Sequence, residues 1–249
     1  MITDYFRPQT LEEALQLLST PNVRPLGGGS VLTHLADDTF AVVDLQNLNL
    51  DKIHKSGETL EIGATVTLQS LLESPHTPVA LKTALKLETP LNLRNMGTVA
   101  GTLATCDGRS PFAAVMVALD SKLTIENGGT IKVNLGSFLL SRHEHLHGNL
   151  IISILISLNL KLAFETIARS PGDKPIVCVS LARWPSGRTR LVIGGWGTSP
   201  SLAMDATESS GIEAAARNAA NDALDQWGSA EYRSDVAAVL ANRCLESLK

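Results

Sequence analysis

The stretch Val23-Arg24-Pro25-Leu26-Gly27-Gly28-Gly29-Ser30-Val31-Leu32 decides how the N-terminal part of the chain is read. Val23 to Leu26 is a short extended run that ends in three glycines, and Val31 to Leu35 reads as a helical turn or two. A strand that runs through glycines into a helix leaves backbone N–H groups unpaired in the turn. It also aims the positive helix end at whatever sits there, which suits a phosphate. Glycine is needed because a Cβ would block a close backbone approach. The stretch is neither G-x-G-x-x-G nor a Walker A, since no Gly-Lys-Ser/Thr follows, and a plain strand-to-helix turn is the competing reading.

Working outward, Thr10 to Leu18 reads as a helix. Thr10 is its N-cap, Glu13 sits three residues on as in a capping box, and Leu11, Ala14, Leu15 and Leu18 form one apolar face. Phe40 to Leu45 reads as a buried strand, so residues 1–54 make a small parallel α/β unit. A second segment, 55–162, holds a half-buried strand at Thr59–Ala64, a capped short helix at Thr67–Leu72 and helices at Pro78–Glu88 and Pro111–Leu119. Strands at 122–126, 130–133 and 150–158 close it. Within it, Leu93 to Ala104 reads as a loop rich in glycine and threonine. Gly97, Thr98, Gly101 and Thr102 offer both N–H and O–H donors there, so the two loops together can grip a pyrophosphate from both sides. A third segment, 163–249, has strand runs Ile176–Arg183 and Arg188–Gly194 about the turn Pro185-Ser186-Gly187, then helical stretches Gly211–Ala223 and Ser229–Leu248. The fold class is α+β, without an internal repeat.

The 249 residues are 44% hydrophobic and 18% charged, enough for a sizeable core and far from a disordered composition. A formal net charge of −4 gives no general attraction to nucleic acid or acidic lipid, and 4% aromatic residues argue against base-stacking platforms. Cys106, Cys178 and Cys244 are widely spaced, as in a reducing compartment, and cannot supply the four thiolates of an Fe–S cluster. Cys106 follows the second loop, where it is either a thiol near the ligand or a small residue at the core edge. No basic segment leads into an apolar run at the N-terminus, and Leu150–Phe164 is broken by Asn159 and Lys161. A cytoplasmic protein without membrane insertion is expected. His143, His145 and His147 would share one face if extended, as a metal site requires, but a solvated turn is favoured over a metal site. Trp184, Trp196 and Trp227 read as packing residues.

The chain resembles the FAD-binding medium subunit of the molybdenum hydroxylases, the family of xanthine dehydrogenase and aerobic carbon monoxide dehydrogenase. Arg24 to Leu32 is similar to the family's P-L-A-G-G-[HT]-[SD]-L loop, and Val42-Val43-Asp44-Leu45 to the strand after it. Leu60 to Thr67 resembles its "IGA.vT" segment, and Leu93 to Ala104 its R-N-x-G-T-[IV]-G-G-N-x-A loop. Pro111–Asp120, Arg169-x-Pro171-Gly172-Asp173, Gly194-Gly195-Trp196-Gly197 and Ala230-Glu231-Tyr232-Arg233 continue the likeness along the chain. The resemblance implies a PCMH-type FAD-binding fold of two α/β subdomains, followed by a small C-terminal α+β domain with a three-stranded antiparallel sheet and helices. It implies FAD held by Leu26, Gly27, Gly28, Gly29, Ser30, Val31 and Leu32 and by Gly97, Thr98, Ala100, Gly101 and Thr102, with Asp107, Arg109 and Ser110 nearby. No catalytic side chain is implied, and no molybdenum or Fe–S centre in this chain. Electrons would arrive from a [2Fe–2S] small subunit that drains a molybdopterin large subunit, and leave the flavin for NAD or another acceptor.

Five positions depart from the family pattern. Val31 stands where a hydroxyl or acid is usual, and Ala100 and Thr102 where G-G-N is usual. Ser110 replaces an acid, and Thr166 a basic residue. The alternative expectation is therefore a non-catalytic structural or docking subunit with a degenerate flavin site. A third reading is a different phosphate-bearing ligand in the same loops.

Overall fold

The structure, a computed structural model, describes residues 1–32, 39–146 and 148–249. The expected helical turn at Val31–Leu35 therefore lies partly outside the described residues, as does His147. In chain order the strands are β1 (Ile2–Phe6), β2 (Val23–Leu26), β3 (Phe40–Asp44), β4 (Ile53–Ser56), β5 (Thr59–Gly63) and β6 (Lys122–Glu126). They continue as β7 (Thr130–Asn134), β8 (Leu150–Ser157), β9 (Lys161–Ile167), β10 (Val177–Arg183), β11 (Thr189–Gly194) and β12 (Ser201–Ala206). The helices are α1 (Leu11–Leu18), α2 (Leu68–Glu73), α3 (Val79–Glu88), α4 (Leu91–Arg94) and α5 (Val99–Thr105), then α6 (Pro111–Ala118), α7 (Leu135–Leu140), α8 (Arg142–Leu146), α9 (Ile212–Ala219) and α10 (Ala230–Ser247).

Two compact units share the chain. The first takes Met1–Pro75, Leu91–Thr105 and Lys122–Leu155, and the second takes His76–Pro90, Cys106–Ser121 and Ile156–Lys249. Of the segments marked out in the sequence, 1–54 falls in the first unit, 163–249 in the second, and 55–162 contributes to both.

In the first unit β1, β3 and β2 form a parallel sheet with β3 in the middle. The run Phe40-Ala41-Val42-Val43 is buried throughout, as a central parallel strand must be. Ala14 and Leu18 of α1 pack with Val43 and Leu45. Thr10 caps this helix by accepting from the Glu13 amide at 3.2 Å. The returning arm of the box lands one residue early, because the Glu13 carboxylate accepts from the Gln9 amide at 2.9 Å. Asp44 ends β3 with a buried carboxylate that accepts from the Tyr5 hydroxyl and, at 2.9 Å, from the Gln46 amide. A second sheet in this unit has the order β4-β5-β8-β6-β7.

The second unit is built on an antiparallel sheet of four strands, β12-β11-β10-β9, rather than the expected three. β9 and β12 carry few fully buried residues, which hid them in the sequence. Val177, Val179, Leu181, Leu191 and Ile193 form one core with Ile212 and Ala216 of α9 and Ala237, Leu240 and Ala241 of α10. The alanines let helix backbones come close to the sheet. α6, with the sequence Pro111-Phe112-Ala113-Ala114-Val115-Met116-Val117-Ala118, is buried on every side and contacts α3, β10 and β11. A helix apolar all round has no solvent face, so it belongs inside.

Candidate functional site

The two glycine-bearing segments meet within the first unit. A Cβ built on Gly28 would lie 1.6 Å from the Met96 carbonyl oxygen, so only glycine permits this approach. Gly29 has φ +69°, the left-handed conformation that lets the chain turn from β2 toward Ser30. Thr98 is the hinge of the contact: its hydroxyl accepts from the Gly101 amide at 3.2 Å and would lie 2.7 Å from a Cβ on Gly27.

The second segment is not a loop, as expected, but two short helices, α4 and α5, joined by the turn at 95–98. Its glycine and threonine content argues against a helix, yet tertiary hydrogen bonds hold it. The amides of Val99 and Ala100 donate to the carbonyls of Val66 (2.8 Å) and Ala64 (3.2 Å), and Thr98 takes the Gly101 amide. The three amides that open α5 are thus satisfied within the protein, and the hydroxyls of Thr102 and Thr105 donate back to Thr98 and Gly101 carbonyls at 2.8 Å. In contrast, the backbone amides of Gly27, Gly28 and Ser30 find no acceptor among the described residues. Among the described residues, the donors left without an acceptor here lie on the first segment.

A cavity of about 350 Å³ opens here, within the range of small-molecule sites. Gly27 to Leu32 form one wall, Thr98, Gly101, Ala104 and Thr105 another, with Val23, Arg24, Pro25 and Leu146 completing it. A smaller space of about 70 Å³ involves Ala100, Ala64 and Thr65 and shares Gly27, Thr98 and Gly101. Glycine backbone with unaccepted amides beside an apolar cavity fits a diphosphate with an attached ring system. Leu26 ends β2 at the start of the cradle. Gly97 lies in the turn, where a Cβ would approach the Leu93 carbonyl oxygen to 3.1 Å. Val31 is exposed at the cavity wall. Leu146 and Thr105 were not singled out in the sequence, and no local motif marks them.

Asp107, Arg109 and Ser110 belong to the second unit. The Asp107 carboxylate accepts from the Arg109 amide (2.9 Å) and pairs with Lys174 (3.0 Å). Arg109 donates to the carbonyls of Pro175 (3.0 Å) and Lys174 (2.7 Å) and lies over the Trp227 ring. Ser110 is fully buried as the N-cap of α6 and donates to Glu88 at 2.7 Å. Burial pushes the Glu88 carboxyl above its ordinary range, against the bonds it accepts from Phe112 and Ser110.

His143 and His145 lie on α8, which is helical and not extended, so residues two apart point to opposite sides. His145 stacks on Phe138 instead. Cys178 and Cys244 are buried, which pushes both thiols up to about 12, and Cys106 is buried as well. Among the described residues no helix is long and apolar enough to cross a membrane.

Residues 1–157 match the family described as the FAD binding domain in molybdopterin dehydrogenase. The chain is 28% identical over 248 residues to an uncharacterized protein of Escherichia coli (strain K12), YgfM, covering 96% of this chain and 94% of the relative. It is also 28% identical over 275 residues to the 6-hydroxypseudooxynicotine dehydrogenase complex subunit alpha of Paenarthrobacter nicotinovorans, covering 97% and 93%. A chain of the carbon monoxide dehydrogenase from Hydrogenophaga pseudoflava, in the form lacking the Mo-pyranopterin moiety, superposes with a TM-score of 0.82 at 22% identity, over 100% of this chain and 97% of that one. The glycine cradle, the cavity beside it and the matched family thus coincide on the same residues: this chain belongs to the family of molybdopterin dehydrogenase FAD-binding subunits.

Proposed function

We propose that this chain binds FAD and is the electron-transfer subunit of a heteromeric molybdenum hydroxylase in the cytoplasm. Its partners in this reading are a [2Fe–2S] small subunit and a molybdopterin large subunit, with NAD or another compound as final acceptor. The observation that carries the reading is the interlock of Gly28 with Met96, which shapes a cradle whose Gly27, Gly28 and Ser30 amides remain to be accepted. Unaccepted amides on one glycine turn can stabilise a diphosphate. The flavin, when bound, supplies the redox chemistry, and the chain's own residues bind and orient it. Thr98 holds the two walls in register, while Val23, Pro25, Ala104 and Leu146 give the ring system a dry surface. Asp107, Arg109 and Ser110 order the turn into α6.

One observation favours the second reading, a docking subunit with a degenerate flavin site. The opening amides of α5 are all taken by Val66, Ala64 and Thr98, so one side of the cradle donates nothing from its helix end. Visible absorbance after FAD supplementation and desalting separates the two readings. Stoichiometric flavin bands support the electron-transfer subunit, whereas a folded, colourless protein refutes it in favour of the docking subunit.

A further inference from the structure

Trp227, on the surface of the second unit, is flanked by two guanidinium groups: Arg109 stands 4.7 Å and Arg169 5.0 Å from its ring. Cation–π contact of this kind holds long side chains in place and so lowers the entropy lost when they bind something. Their charges are not neutralised locally. Arg109 donates only to the Pro175 and Lys174 carbonyls, and Arg169 makes no hydrogen bond or ion pair among the described residues. The nearby carboxylates are engaged elsewhere: Asp107 with Lys174, Asp225 with Arg233 and Asp173 with the Ser170 hydroxyl. The Trp227 indole N–H also lacks an acceptor among the described residues. The guanidiniums and the indole N–H thus keep donors to spare, and Leu224 (75% exposed) and Tyr232 (43%) are exposed in the same unit.

We propose that Trp227, Arg109 and Arg169 form a docking surface for an acidic segment of a partner polypeptide, with Trp227 as the apolar anchor and the guanidiniums taking carboxylates. An exposed Trp flanked by two Arg side chains has the composition of interface hot spots, which favours a polypeptide partner. Trp227, Arg109 and Arg169 all lie in the second unit.

The test is titration of the full-length, isotope-labelled protein with a hexaglutamate peptide at low salt, reading the Trp227 indole N–H and Arg Nε–H resonances. Saturable shifts are expected, fading as salt screens the charges. Arg169→Gln removes a side chain with no internal bond, so the fold survives; it should weaken peptide binding about tenfold, the loss of one charge-assisted contact. Lys55→Gln, on β4, should leave binding unchanged. An absent or non-saturable shift overturns the proposal, as does a shift that Arg169→Gln leaves intact. An equal response to inorganic phosphate at matched charge overturns it in favour of a small-anion site.

Discussion

Replacing Gly28 by alanine tests the cradle most directly. The added methyl would begin 1.6 Å from the Met96 carbonyl oxygen and 2.5 Å from its carbon, both backbone atoms that cannot swing aside. Reaching a tolerable 3.0 Å to the oxygen requires the two segments to part by about 1.4 Å. That displacement separates the walls that Thr98 holds together and shifts the turn that carries the Gly27, Gly28 and Ser30 amides. Overpacking of this kind costs about 1–3 kcal/mol, which corresponds to roughly five- to 150-fold weaker FAD binding if the strain is released in the complex-forming geometry. Titration calorimetry with FAD measures the affinity, and thermal unfolding followed by circular dichroism on the same samples shows whether the fold persists. Gly129→Ala is the control, because its Cβ would meet nothing within 4 Å. A folded Gly28→Ala protein that binds FAD as tightly as the parent would refute the argument that this contact shapes the site.

Other expectations concern the same scaffold. Thr98→Val keeps the shape but removes the acceptor for the Gly101 amide; a loss of about 1 kcal/mol in stability and a weaker flavin complex are expected by denaturant titration and calorimetry. Arg233 is fully buried, donating to the carbonyls of Ile176 (3.2 Å), Ala223 (2.6 Å) and Gly195 (3.4 Å) and to Asp225 (2.7 Å). Arg233→Met should therefore cost about 3–5 kcal/mol, seen as a lower urea midpoint, because one carboxylate and several carbonyls lose their partner together. Ser110→Ala removes the α6 cap and one of the donors to Glu88, so about 1–3 kcal/mol should be lost and the melting temperature should fall. The hydrogen bond from Arg188 holds the Asp205 carboxyl below its ordinary 3.8, and Arg233 does the same for Asp225 against the opposing effect of burial. Both groups contribute stability that is present above the unfolded value and lost as pH falls through the lowered folded one. Unfolding measured from neutral pH downward should show the second unit weakening below about pH 4, and Asp205→Asn should flatten that slope.

What the sequence made legible was what is encoded locally. Thr10, Thr67 and Ser229 each stand before an apolar helical run, and each hydroxyl accepts from the amide three residues on. Gly27 to Ser30 announced a close backbone approach, which the structure makes at Gly28 against the Met96 carbonyl oxygen. The segment 91–105 was misread because its helices are held by Val66 and Ala64, carbonyls far away in the chain and silent in a local pattern. Arg109 and Asp107 were placed near the ligand by their position just after the second segment. Their hydrogen bonds go to residues 65 to 67 positions further on, which spacing alone does not reveal. β1 escaped notice because all five of its residues are exposed, so no alternation marks it.

The all-apolar α6 has a consequence for how the chain is made. Residues 111–118 leave the ribosome well before β10 and β11, the strands that cover them, which end at Gly194. At ordinary synthesis rates that interval lasts about 4–15 s, during which a greasy helix has α3 for shelter. Nascent chains stalled before Gly194 should therefore recruit chaperones strongly, and substitutions that slow pairing of β10 with β11 should lower the yield of soluble protein even where the finished fold is as stable as before.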